Sequence, residues 1–131
     1  MDNQTKFAII GAGAMGEAII GGLLKQKLTS PENIFASEPR VERCEELEEK
    51  YHIKTSTSNI EVLKEADVVV LAVKPQKLDK VLEELNGQIP IDAVIISIIA
   101  GASIDKISSG LAHKVVIRTM PNTPGQICKG I

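Results

Sequence analysis

The chain has 131 residues, a net charge of −2, 44% hydrophobic and 24% charged residues. That length suits one domain with its own core and needs no disulfide or metal staple. Lys and Arg are interleaved with Asp and Glu, and aromatics make up only 2%, so neither a basic footprint nor stacking platforms for nucleic acid are expected. No apolar run approaches the roughly 20 residues of a membrane span, and the polar start Met1-Asp-Asn-Gln-Thr-Lys6 is unlike a signal peptide. A cytoplasmic protein is expected.

The first apolar run, Phe7 to Ile10, reads as a buried strand and leads into Gly11-Ala12-Gly13-Ala14-Met15-Gly16. Met15 to Leu24 then reads as a packed helix. Glycines spaced GxGxxG between a strand and a helix mark a dinucleotide site. The first glycine allows the tight turn, the second lets the backbone approach a pyrophosphate, and the third lets helix and strand pack closely. Unpaired amides and the helix dipole then face the phosphates.

Thr29 to Asn33 is a turn, and Ile34 to Ser37 a second strand ended by Pro39. Val41 to Tyr51 places Cys44, Leu47 and Tyr51 on one face of an amphipathic helix. A third short strand is expected over Ile53 to Thr55. Ser58-Asn59-Ile60-Glu61 has the pattern of a capping box opening a helix towards Ala66.

Asp67 to Val73 and Ala93 to Ile99 read as strands covered on both faces, with a helix from Gln76 to Leu85 between them. Ser103 caps a helix running to about Ser109 that Gly110 ends, and Val115 to Thr119 is the sixth strand. Strands alternating with crossovers imply an α/β fold: a doubly wound, Rossmann-type parallel sheet of order 3-2-1-4-5-6 with helices on both faces. Ligand then belongs at the carboxyl ends of the strands, where the winding switches between the first and fourth.

Cys44 and Cys128 form no metal or redox spacing and are read as free thiols, and no metal site is expected. His52 and His113 are read as surface residues. Arg118, on the sixth strand, has to face solvent, a partner domain or an anion.

Four segments together resemble the pyrroline-5-carboxylate reductases, which reduce a cyclic imine to proline with a nicotinamide cofactor. They are Ile9 to Gly16, Ala72-Val73-Lys74-Pro75, Ser97 to Gly101, and Val116 to Pro124. Met120-Pro-Asn-Thr-Pro124 is the most specific of them. The resemblance covers the whole chain but only the amino-terminal half of a typical family member. It implies that residues 1–131 are the dinucleotide-binding domain. It also implies a missing helical carboxyl-terminal domain that supplies the dimer contact and most substrate groups. Without that domain these residues are not expected to sustain reduction, and the catalytic residues are not assigned.

By matching position, the resemblance implies that Gly11 to Gly16 hold the pyrophosphate, with Ala14 and Met15 offering amides. Ser37 and Asn59 would lie on the adenosine side. Ala72, Val73, Lys74 and Pro75 would run along the ribose and nicotinamide, joined there by Ala100, Gly101, Asn122 and Thr123. In Ser37-Glu38-Pro39-Arg40, Ser37 with Arg40 would hold the 2′-phosphate of NADP(H). Glu38 at the strand end would instead repel it and suit NAD(H). The resemblance favours NADP(H), with NAD(H) possible, and a cyclic imine carboxylate as substrate of a homo-oligomeric full-length enzyme. Two other readings stay open: another two-domain dehydrogenase such as a β-hydroxyacid dehydrogenase, and a non-catalytic dinucleotide-sensing module.

Overall fold

Strand β1 (Phe7–Ile10) has no exposed side chain, because it lies in mid-sheet with a helical layer on either face. The computed structural model describes residues 4–119. Among these residues six parallel strands run β3-β2-β1-β4-β5-β6, the order expected. They are β1, β2 (Ile34–Ser37), β3 (Lys54–Ser56), β4 (Val68–Leu71), β5 (Val94–Ser97) and β6 (Val116–Arg118).

Because strand side chains alternate between faces, β1 feeds two cores. Phe7 and Ile9 join Val68 and Val70 under α1 (Ala14–Lys25) and α2 (Val41–Tyr51), where Ile19, Ile20, Leu23 and Leu47 pack against them. Ala8 and Ile10 join Val69, Leu71 and Ile95 under α3 (Asn59–Val62), α4 (Leu78–Leu85) and α5 (Ile104–Leu111).

Register brings the carboxyl ends into one row, with Ser56 beside Ser37, Ser37 beside Ile10, Ile10 beside Leu71, Leu71 beside Ser97 and Ser97 beside Arg118. Everything that could meet a ligand therefore sits along one rim.

Three departures from the expected elements have identifiable causes, two within the chain segment and one in packing. The helix after Ser58 stops at Val62, where a turn with Glu65 at φ +62° breaks it. Residues Pro75–Lys77 form a 3-10 turn ahead of α4, since proline at the first position suits a helix start but cannot donate a backbone bond. Gly110 does not end α5: it lies within it, pressed against Leu82 of α4, and Ala112 at φ +56° is the cap.

Cys44 is a buried free thiol, and Cys128 lies outside the described residues. His52 is exposed and ends α2 with a left-handed φ of 61°. His113 is not a surface residue: it is buried, with Nε2 2.6 Å from the Ala93 carbonyl. Its ring thus ties the α5–β6 turn to the start of β5, a contact between segments far apart in sequence. Arg118 is exposed. No described helix is long and apolar enough to cross a membrane, and no described cluster of His, Cys, Asp or Glu could hold a metal ion.

Candidate functional site

The turn from β1 into α1 assigns its three glycines different duties. Gly11 adopts φ +92°, and a Cβ there would lie 2.8 Å from Val73 Cγ1 and 3.0 Å from Val73 Cα. Only glycine combines that backbone with that approach. At Gly16 a Cβ would fall 2.4 Å from the Gly11 carbonyl oxygen, so α1 sits directly on the turn. At Gly13 a Cβ would meet nothing within 4 Å. The second glycine alone faces open space, where a phosphate could come close to bare backbone.

Gly13 is also the N-cap of α1 and supplies no capping side chain. By contrast Ser58 caps α3, accepting from the Glu61 amide, and Ser103 caps α5, accepting from the Lys106 amide. The first amides of α1 are therefore left for a ligand.

Ser37 governs which amides those are. Its hydroxyl donates to the Ile9 carbonyl at 3.4 Å and accepts from the Gly11 amide at 3.3 Å, while its carbonyl accepts from Ala12 at 3.0 Å. Gly11 and Ala12 thus turn their amides towards β2, and those of Gly13, Ala14 and Met15 are the ones a phosphate can use.

The same bonds give the hydroxyl of Ser37, the residue expected on the adenosine side, two partners in the glycine turn, while Ser37 still lines the crevice described below. Ser37 is 1% exposed and its hydroxyl is spent on the glycine turn. Alternation along the strand turns the next residue, Glu38, to the crevice. Glu38 is itself 5% exposed, and its Oε1 accepts from Arg40 Nε at 2.6 Å and from the Arg40 amide at 3.2 Å. Glu38 holds the Arg40 guanidinium firmly charged by hydrogen bond and by charge, and raises its pKa.

A crevice of about 480 Å³ opens over the β1–β4 switch point, within the range of small-molecule sites. It brings together Gly11, Gly13, Ser37, Arg40, Asn59, Ala72, Val73 and Lys74 from the expected set. Ala14 lies in a neighbouring hollow with Gly13 and Arg40. Asn59 opens α3 and donates to Glu84 at 2.7 Å, so its amide already has a partner on α4. Ala100 and Gly101 are exposed on the loop after β5 and do not line this crevice. Asn122 and Thr123 lie outside the described residues.

Glu38, Thr57 and Lys77 also line the crevice, and Arg43 reaches the glycine turn from α2. Thr57 and Lys77 carry no motif, and only the fold brings them near. Arg43 looked like part of the charged outer face of an amphipathic helix. With Arg40, Lys74 and Lys77 against Glu38, the crevice suits a polyanion in contact with backbone amides.

A family model described as NADP oxidoreductase, coenzyme F420-dependent, matches residues 6–101, well over half of the chain. The chain belongs to that family. Among its relatives is the pyrroline-5-carboxylate reductase of a Synechocystis species, 40% identical over 126 residues, an alignment covering 96% of this chain and 47% of the relative. The solved pyrroline-5-carboxylate reductase of Coxiella burnetii superposes with a TM-score of 0.84 at 30% identity, covering 95% of this chain and 47% of its own. A Plasmodium falciparum pyrroline carboxylate reductase with NADP bound gives 0.79 at 26% identity, covering 97% and 46%. The resemblance carried by the four segments is borne out. The chain spans about half the length of the curated relatives it matches.

Proposed function

We propose that this chain is the cofactor cradle of an NAD(P)H-dependent reductase that converts 1-pyrroline-5-carboxylate to proline in the cytoplasm. The observation that carries the reading is Gly13: an uncapped helix start with empty space where a side chain would be, beside a crevice holding Arg40, Lys74 and Lys77. The likeness to reductases of that name supplies the substrate class.

A reduced nicotinamide dinucleotide fits these residues and, when bound, supplies a hydride. The amides of Gly13, Ala14 and Met15 take the pyrophosphate. Ala72, Val73, Lys74 and Pro75 follow the ribose towards the nicotinamide, and Pro75 stiffens that run. Ala100 and Gly101 leave room for the ring at the sheet edge, the side on which the resemblance also puts Asn122 and Thr123. A protonated imine is already electrophilic, so these residues need only bind, orient and shelter the reactants. The remaining substrate groups and a homo-oligomeric contact belong to a helical carboxyl-terminal domain, as the resemblance implies.

NADP(H) is favoured over NAD(H), a preference that Arg40 carries more than Ser37. With the Ser37 hydroxyl bonded within the glycine turn, Arg40 has to exchange Glu38 for the 2′-phosphate, so the preference stays below about tenfold, or about 1.4 kcal/mol. Following NADPH oxidation optically with pyrroline-5-carboxylate and the full-length protein tests the activity. Turnover supports the reading. NADPH binding without turnover would point to a sensing module, and turnover of a β-hydroxyacid alone to the other dehydrogenase class.

A further inference from the structure

Arg43 stands in the first turn and a half of α2, yet its side chain is only 18% exposed because it folds back onto the glycine turn. Nε donates to the Ala12 carbonyl at 3.1 Å, and Nη2 lies 3.5 Å from the Gly13 carbonyl and 2.5 Å from a Glu17 carboxylate oxygen. Glu17, in the first turn of α1, also accepts from Lys50 Nζ at 2.9 Å and the Tyr51 hydroxyl at 2.8 Å. The guanidinium is thereby fixed to both helices while it holds two successive carbonyls of the turn.

The Ala12 carbonyl matters because a peptide group is planar and trans, so its C=O and N–H point in opposite directions. Holding the Ala12 carbonyl aims the Gly13 amide, whereas the Gly13 carbonyl is already held at 2.9 Å by the Glu17 amide in the first turn of α1, with Nη2 a second and longer contact. A guanidinium donor also makes a stronger bond to a carbonyl than a neutral one does. A staple serving only to join α1 to α2 would need Glu17, Lys50 and Tyr51 but not the carbonyl of Ala12.

We propose that Arg43 is a positioning residue of the cradle: it draws the carbonyl of Ala12 away from the crevice so that the amide of Gly13 faces the dinucleotide phosphates. This rests on the cofactor reading above for its ligand, but the loop geometry can be tested without one.

Arg43→Met is compared with Arg43→Lys and with Glu46→Gln, which removes only an exposed carboxylate 3.5 Å from Arg43. In ligand-free Arg43→Met, hydrogen exchange at the Gly11 and Ala12 amides accelerates by about tenfold or more, while amides of β4 exchange as in the wild type. The dissociation constant for NADPH rises by about tenfold or more, and that for adenosine 2′-phosphate, which has no pyrophosphate, stays within about twofold. Arg43→Lys recovers part of both changes, and Glu46→Gln matches the wild type. Unchanged exchange in Arg43→Met overturns the proposal, and so does an equal loss of both ligands, which would leave Arg43 a mere helix staple. If the wild type binds no NADPH, the cofactor reading fails, and the exchange of Gly11 and Ala12 still decides whether Arg43 holds the turn.

Discussion

At Gly13 and Gly16 a single methyl group separates binding from folding. Gly16→Ala puts a Cβ 2.4 Å from a backbone oxygen, and forcing that contact apart costs on the order of 2–4 kcal/mol, read as a lowered midpoint in urea unfolding. Gly13→Ala meets no atom, so its stability cost stays within about 1 kcal/mol, the scale of an altered N-cap, while calorimetry should show about tenfold weaker NADPH binding. Equal effects of the two substitutions on stability would contradict these roles. At Arg40, replacement by Ala should cost NADP(H) about fivefold in affinity, or about 1 kcal/mol, and leave NAD(H) within about twofold. The three glycines were legible because their spacing is local. Ser37, Glu38 and Arg43 were harder to read. Which of two adjacent strand residues faces a crevice depends on register, and the reach of Arg43 depends on how α2 packs against α1.

Between elements, α1 and α2 are joined at Glu17, whose pKa falls from 4.5 to about 2. Lys50 contributes most by hydrogen bonding, followed by Tyr51 and Arg43. A carboxylate with a depressed folded pKa stabilises the protein above its unfolded value, and that contribution is lost as pH falls through the folded value. The relevant window is therefore pH 4.5 to about 2. Because Lys50 is 65% exposed at its side chain, solvent screening reduces the effect to roughly 1–2 kcal/mol. Urea unfolding at pH 7 and pH 3 should show Glu17→Gln losing less stability on acidification than the wild type, by roughly 1 kcal/mol, since at pH 3 the folded carboxylate is still mostly ionised. Equal losses would mean that the cluster contributes nothing. Most elements followed from apolar spacing and punctuation: β2 and α2 have the bounds expected. At Gly110, packing against Leu82 overrides the local stop signal, whereas the early end of α3 and the 3-10 turn at Pro75 have causes in the chain itself.

Over the whole molecule, the strand order follows from alternating strands and crossovers, because right-handed parallel units leave few ways to wind a sheet. That order places the β1–β4 switch point above the glycine turn, and the carboxyl-end row decides which loops can share a ligand. Register then separates the expected residues into those around Gly13 and those on the loop after β5, a division no motif spacing reveals. The proposed function requires a phosphate-bearing cofactor lying against the bare backbone at Gly13. Titrating the 131-residue chain with NADPH while following the cofactor's fluorescence tests this directly. Saturable 1:1 binding that inorganic pyrophosphate competes away, and that Gly13→Ala weakens by about tenfold, is the expected result. Absence of saturable binding, or binding that neither pyrophosphate nor Gly13→Ala disturbs, would contradict it.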